Sequence, residues 1–430
     1  MKNRRAGGAG WRRIFQGNIL AFGLVSFLTD FSTEMIYPLL PVFFAGFVSP
    51  AAVAVYVGLM EGLAEGTSSL LKFYSGRLSD RVNRRKPLAL IGYAISSIIR
   101  PFTAMAVVAW QVVVFRLLDR VGKGLRTAPR DALLSESITA DVRGRAFSFH
   151  RLMDHAGAVT GPLMAVVFLY LMLGRAILWQ QGNSSTSPQE MAALRWLFAL
   201  AALPGMAAVL LLWRFVQERR HPAGTQHASE EKASPPRSRL SRGFFFFLSA
   251  EVLFTLGNSS DLFLIFYARN RFGLGLGWVI SLWVLLHLAK IVFSLPGGWL
   301  ADRTGHRTAI IAGWVTYALV YVMVPFTTDI RMICVLLFFY GLYYGLTEGA
   351  ERALVAEMAA VTDRGRAYGW YHGAVGLATL PASLMFGIFW AWFGPDRAFF
   401  FGAFLAAAAV VLLAVSPVTD RDKPGRLQNS

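Results

Sequence analysis

An all-α integral membrane protein with about twelve transmembrane helices in two pseudo-symmetric six-helix halves is the fold class this sequence predicts. The first observation behind it is composition. Of 430 residues, 55% are hydrophobic and only 16% charged, with a mean hydropathy of +0.48, too little polar surface for a chain that uses water as its solvent. The second is length, because the apolar runs reach about 20 residues, enough for a helix to cross a bilayer. The third is duplication. Gly76-Arg77-Leu78-Ser79-Asp80-Arg81-Val82-Asn83-Arg84-Arg85 is echoed by Gly298-Trp299-Leu300-Ala301-Asp302-Arg303-Thr304-Gly305-His306-Arg307, each at the end of a long apolar run. Arg143-Gly144-Arg145-Ala146 is echoed by Arg364-Gly365-Arg366-Ala367 at nearly the same offset, so whole halves are repeated. Such symmetry places a substrate site between the repeats, near the bilayer midplane.

In chain order the expected spans are 17–46, 52–76, 87–109, 111–135, 146–172 and 194–215, then 244–270, 276–300, 308–327, 330–357, 367–393 and 397–416. Residues 1–16 form an amino-terminal segment, 17–215 the first half, 216–243 a linker, 244–416 the second half and 417–430 a tail. The net charge of +17 is concentrated at the start of the chain, in the loops at 77–86, 143–145, 303–307 and 364–366, in the linker and in the tail. If the spans alternate, all of these fall on one side. The positive-inside rule then puts both termini in the cytoplasm, and the expected location is a bacterial cytoplasmic (inner) membrane. This layout explains the basic balance without nucleic acid.

The first apolar run lacks a small-residue cleavage site and reads as a retained span. Cys334 is the sole cysteine, which excludes an internal disulfide or a cysteine-built metal cluster. The linker, with Glu230-Glu231-Lys232 and Pro235-Pro236, has no apolar face and reads as a tether. Asn183-Ser184-Ser185 has the form of a glycosylation sequon and reads as a chance match. Glycine ladders at Gly341, Gly345 and Gly349 and at Gly369, Gly373 and Gly376 suit close helix approach in lipid, either as static packing or as a sliding surface. Prolines 38, 41, 129, 162, 296 and 381 predict bends within spans.

Charged side chains inside the spans are the sharpest signal, because each costs about 2.5–3.5 kcal/mol at the bilayer centre unless it is paired, hydrated or used. Asp30 and Glu34 share a face of the first span, and Glu61, Glu65 and Lys72 share a face of the second. On the fourth, Arg116, Asp119, Arg120, Lys123, Thr127 and Arg130 form a polar stripe that cannot face lipid. Counting about 1.5 Å per residue puts Glu61, Arg116, Asp119, Arg120 and Asp30 in one layer. Arg126 and Arg130 approach the level of Arg151, Asp154 and His155 of the fifth span. In the second half His287 and Lys290 lie near the midplane, Glu348, Glu351 and Arg352 lie lower, and His372 is the pseudo-equivalent of Arg151. The mundane reading is that these acids and bases neutralise one another and hold the bundle together.

The paired Gly-x-Leu-Ser/Ala-Asp-Arg-x-x-x-Arg loops resemble the signature loop of the major facilitator superfamily, and the resemblance covers essentially the whole chain. It implies that fold, with Gly76, Asp80, Arg81, Arg85, Gly298, Asp302, Arg303 and Arg307 as the cytoplasmic gate motif. Arg130 and Glu136 join Asp80 in the accompanying charge relay. The loop glycines would allow tight helix contact, and the aspartates would accept from a neighbouring helix terminus or an arginine. Gly157-x-x-x-Gly161-Pro162 is similar to the core of the antiporter motif of the drug:proton antiporter branch, and Arg116 falls where that branch keeps a fourth-span arginine. Ala165-Val166 and His150 replace motif glycines, and Asp119-Arg120-Val121-Gly122-Lys123-Gly124 is far more charged than the branch's usual segment.

These residues point to a secondary transporter working by alternating access, with proton-coupled export of a small organic molecule as the favoured reading. Asp30, Glu34, Glu61 and Glu65 are the expected coupling acids, with Arg116 beside them. Arg126, Arg130, Arg151, Asp154, His287, Lys290, Glu348 and His372 are the expected cavity residues. The alternative is a proton-coupled importer of an organic anion or a metal chelate such as a siderophore, anchored by Arg126, Arg130, Arg151 and Lys290. A non-transporting receptor or scaffold is disfavoured, since paired gate loops have little use in a static protein. No nucleophile motif, zinc spacing or phosphate loop is present, so no enzyme activity, catalytic residue, metal or cofactor is expected. The expected partners are the lipid bilayer, a small-molecule substrate and protons or another ion, with the chain acting as a monomer.

Overall fold

The computed structural model describes residues 17–82, 85–136, 143–181, 186–218, 240–359 and 363–416, and among these every regular element is helical. The first half comprises α1 (Gly17–Glu34), a 3-10 turn (Tyr37–Leu39), α2 (Leu40–Ala45), α3 (Pro50–Val82), α4 (Arg85–Ala104), α5 (Ala109–Glu136), α6 (Arg143–Leu178), α7 (Pro188–Leu200) and α8 (Ala202–Phe215). The second comprises α9 (Arg242–Gly257), α10 (Asp261–Phe272), α11 (Leu276–Thr304), α12 (His306–Met323), α13 (Ile330–Glu357), α14 (Arg364–Phe393) and α15 (Pro395–Val415).

Nine stretches among the described residues are long and apolar enough to cross a bilayer. The other three expected spans miss that test for chemical reasons. Helices α3 and α5 carry the charges singled out above. The expected span 244–270 is not continuous: it breaks between α9 and α10 at Asn258–Ser260. Ser260 caps α10 by accepting from the Leu262 amide, and the Tyr317 hydroxyl donates to the freed Gly257 carbonyl at 2.8 Å. The matched first span also breaks, between Glu34 and Leu40, where Pro38 and Pro41 withhold amide donors. Discontinuous helices at equivalent places in two repeats are the usual setting of a transporter site. The sixth span begins at Pro188 rather than 194. Ser187 and Glu190 form a reciprocal capping box there.

The repeat is visible in the packing. Helix α1 packs on α8, α4 on α5 and α4 on α8, and the matched pairs α9 with α15, α12 with α13 and α12 with α15 recur in the second half. The chain divides into two compact units. Unit 1 is Met1–Glu218, Ser260–His287 and Ser383–Gly394; unit 2 is Arg219–Ser259, Leu288–Ala382 and Pro395–Ser430. Two segments of the expected second half therefore belong to unit 1. There, Gly58 lies against the Ser383 carbonyl, Gly387 against the Ala54 carbonyl, and the Gly275 amide donates to the Gln180 carbonyl at 2.9 Å.

Glycine has distinct consequences along the chain. Gly157 and Gly161 bring α6 onto the α1 backbone at Phe27 and Phe31, where a Cβ would collide with main-chain atoms. In unit 2, Gly341 and Gly345 seat α13 on α11. Gly349, Gly369 and Gly373, by contrast, face open space, which corrects the ladder reading for those positions. So does Gly298: its neighbour Gly297, one position earlier, makes the close contact with Gly345.

Candidate functional site

The polar stripe of α5 is buried in unit 1 between α3 and α4. Arg116 lies 3.9 Å from Glu61 and 3.4 Å from Asp119, Arg120 lies 3.5 Å from Glu65, and Arg100 lies 3.7 Å from Asp119. The expected meeting of Glu61, Arg116, Asp119 and Arg120 is therefore observed. Arg100 was missed from sequence, although an isolated arginine within the apolar run 87–109 was a usable signal. It ties α4 to α1 by donating to Ser32 and, at 2.7 Å, to Thr33, while Ser32 donates to the Ala201 carbonyl.

Both helix breaks converge on Glu61. The Tyr37 hydroxyl, from the first break, donates to Glu61 Oε2 at 2.6 Å, and the Ser260 hydroxyl, from the second, reaches the same oxygen at 3.5 Å. The Arg116 guanidinium rests over the Tyr37 ring at 4.5 Å, and Tyr37 meets Trp283 edge to face at 5.2 Å. The Trp283 indole N–H donates to Glu34 Oε2 at 3.0 Å. Two acids on first-half helices thus take hydrogen bonds from second-half residues within one compact unit.

Asp30 does not join this layer. Its charged neighbours are Asp154, Glu34, Lys123 and Arg126, because the glycine contact of α6 on α1 brings Asp154 close, something a count along straight parallel helices does not capture. Asp154 accepts from Ser26 and sits 3.4 Å from His150. The arginine clamp expected from Arg126, Arg130 and Arg151 does not form. Arg126 turns into the protein, over the Tyr93 ring at 4.4 Å and donating to Ser96 at 2.9 Å; Arg130 pairs with Asp131 at 2.8 Å; and Arg151 is exposed. The Tyr93 ring and the Ser96 hydroxyl of the adjacent α4 take up Arg126, and Asp131 of α5 itself takes up Arg130.

His287 contacts its own helix through the Trp283 carbonyl at 3.0 Å, and Lys290 lies over the Tyr344 ring at 3.8 Å. Glu348 is exposed and pairs with Arg352 at 3.1 Å; His372 is exposed beside Tyr371. At the second signature loop, Asp302 lies 3.5 Å from the side chain of His306, the first residue of α12, and His306 lies 3.0 Å from Glu357. Arg307 donates to the carbonyls of Leu413, Ala414 and Ser416, capping the end of α15, while Arg303 covers the Trp299 ring at 4.0 Å. At the first loop, the Arg85 and Lys86 amides donate to Glu218, an anion at the α4 amino terminus. The surroundings of Gly76, the side chains of Asp80, Arg81 and Glu136, and the Asn183-Ser184-Ser185 sequon lie outside what the structure describes.

The Major Facilitator Superfamily profile matches residues 22–288 and 273–429. An uncharacterised MFS-type transporter of Methanocaldococcus jannaschii is 30% identical over 404 residues, 92% of this chain and 94% of that protein. The multidrug resistance protein MdtH of Photorhabdus laumondii is 30% identical over 130 residues, covering 30% of this chain and 32% of its own length. Among solved structures, a D-xylose-proton symporter superposes with a TM-score of 0.69 at 18% identity, covering 93% of this chain and 97% of its own, a likeness of fold.

Proposed function

Because the chain belongs to the Major Facilitator Superfamily, whose members are membrane transporters, we propose that it exports a small organic molecule in exchange for protons by alternating access. The proposal includes halves at 17–215 and 244–416, a cytoplasmic-membrane location with both termini inside, and a monomer as the working unit.

One observation carries this reading: Glu34 and Glu61 are held by donors from the segment 260–287, which belongs to the second half of the repeat. Any movement that opens this end withdraws Trp283 and Ser260 from the two acids and admits water in their place. Proton exchange with that compartment is thereby tied to the opening, as coupling requires. Asp30 adds an acid that makes no ion pair among the described residues and is packed under α6 by the glycines of the antiporter-like segment. Export is favoured over import by the local similarity to a multidrug resistance protein and by Arg126 and Arg130, whose engagement inside the protein takes up two of the four anchors an anion importer would use.

The test uses full-length protein in proteoliposomes with ethidium as the transported probe. Asp30→Asn should abolish ethidium accumulation driven by a pH gradient while preserving ethidium exchange at equal pH. Accumulation by this variant at wild-type dependence on the gradient would remove Asp30 from coupling. Wild-type transport indifferent to the gradient would defeat the proton-coupled reading itself.

A further inference from the structure

Unit 2 holds two carboxyls, Glu251 and Glu351, that make no ion pair among the described residues. Glu251 lies about 14 Å along α9 from Arg242 and one turn from Phe247, which stacks on Tyr371, the residue that donates to Glu351 of α13. Glu251 is 3% exposed, makes no ion pair among the described residues, and has an Oε2 without a hydrogen-bond partner. Glu351 accepts from the Tyr371 hydroxyl at 3.0 Å. Trp314 is fully buried, and its indole N–H has no hydrogen-bond partner. The surroundings are aromatic: Phe254 stacks on Trp314 at 4.6 Å and Phe247 on Tyr371 at 6.3 Å.

The other charged groups near the pair do not neutralise it. Glu348 and Arg352, on the same helix as Glu351, pair with each other on an exposed face. On α14 the neighbours are Tyr371 and the exposed His372, whose rings lie 5.0 Å apart; α12 contributes the neutral indole and α9 only Glu251. Two bare carboxylates among aromatic rings would lose hydration and repel each other. A single proton held by the pair removes one charge and with it the repulsion. A metal ion would require more oxygen ligands than two carboxyls and one phenol provide.

We propose that Glu251 and Glu351 bind one exchangeable proton between them, a proton site separate from the acids of α1 and α3. Its use in transport rests on the proton-coupled reading above; the binding of the proton does not.

The experiment is an infrared pH titration of the purified full-length protein in lipid, reading the carbonyl stretch of protonated carboxylic acids. Glu251→Gln and Glu351→Gln should each remove the same single titrating band, and the double variant should remove no more than either alone. Wild-type band intensity in both single variants would overturn the proposal, and so would separate, additive losses. A titration displaced by sodium but not by choline at equal ionic strength would overturn it in favour of a metal cation. Should a glutamine variant fail to insert, Tyr371→Phe provides the check: the band must persist but shift, because a donor to Glu351 is gone, and an unshifted band counts against the site. Loss of the band in the glutamine variants, together with wild-type ethidium transport indifferent to pH, would uphold the proton site and sink the coupling reading alone.

Discussion

The buried acids of the two halves are neutralised in different ways. In the first half, Glu61, Glu65 and Asp119 each have an arginine within 4 Å, all three arginines coming from α4 or α5. In the second, Glu251 and Glu351 make no ion pair among the described residues, and Glu351 accepts from the Tyr371 phenol among aromatic rings. An acid balanced by a fixed guanidinium needs nothing from solution and holds helices together. An acid facing another acid must draw its neutralising charge from outside. Three helix pairings thus recur in the two halves while the buried acids of each half meet different partners.

The largest effect should come from breaking the fixed layer. Asp119→Asn leaves Arg100 without its carboxylate, and loss of one member of a buried ion pair costs about 3–5 kcal/mol. Glu251→Gln, which imitates a protonated acid, should change stability by no more than about 1 kcal/mol. Thermal unfolding of both variants in detergent makes the comparison; equal losses would erase the distinction between the halves.

Packing offers a second contrast. Gly157→Ala drives a Cβ into the α1 main chain and should cost about 1–3 kcal/mol through overpacking, whereas Gly373→Ala enters open space and should shift stability by no more than about 0.5 kcal/mol. The same unfolding assay reads both, and a Gly373→Ala loss as large as that of Gly157→Ala would restore the ladder reading for α14.

The smallest effect sharpens the role of the helix breaks. Trp283→Phe keeps a ring against Tyr37 but removes the donor to Glu34, a loss of about 1 kcal/mol. Labelling of a single cysteine placed at Val284 should rise as that end opens more often. Unchanged labelling would mean that the indole hydrogen bond does not hold the end closed.

Much of this was legible in the sequence because the signals were local or repeated. The α5 stripe had to be buried wherever its neighbours lay, since hydrocarbon cannot solvate it; the same argument applied to α3 found Glu61 and Glu65, and Arg116 was marked also by its resemblance to the fourth-span arginine of the antiporter branch. Glu251 and Arg100 were overlooked because each is a single charge in an apolar run, weaker to the eye than a stripe though just as costly in lipid. The break at Asn258-Ser259-Ser260-Asp261 carried a polar signal, but no proline to announce it.

By itself the sequence determined that the chain crosses the membrane, that it is built from two repeats, and which faces of α1, α3 and α5 are polar, because hydropathy, periodicity and self-similarity depend only on residue order. Only the tertiary structure decided which charge meets which. Arg126 could have faced a substrate as readily as Tyr93, and Asp30 could have joined Glu61 rather than Asp154. Those choices turn on helix tilt and on glycine contacts such as that of α6 on α1, which move side chains by several ångströms relative to a count of about 1.5 Å per residue. A charge pair forms or fails over that same distance.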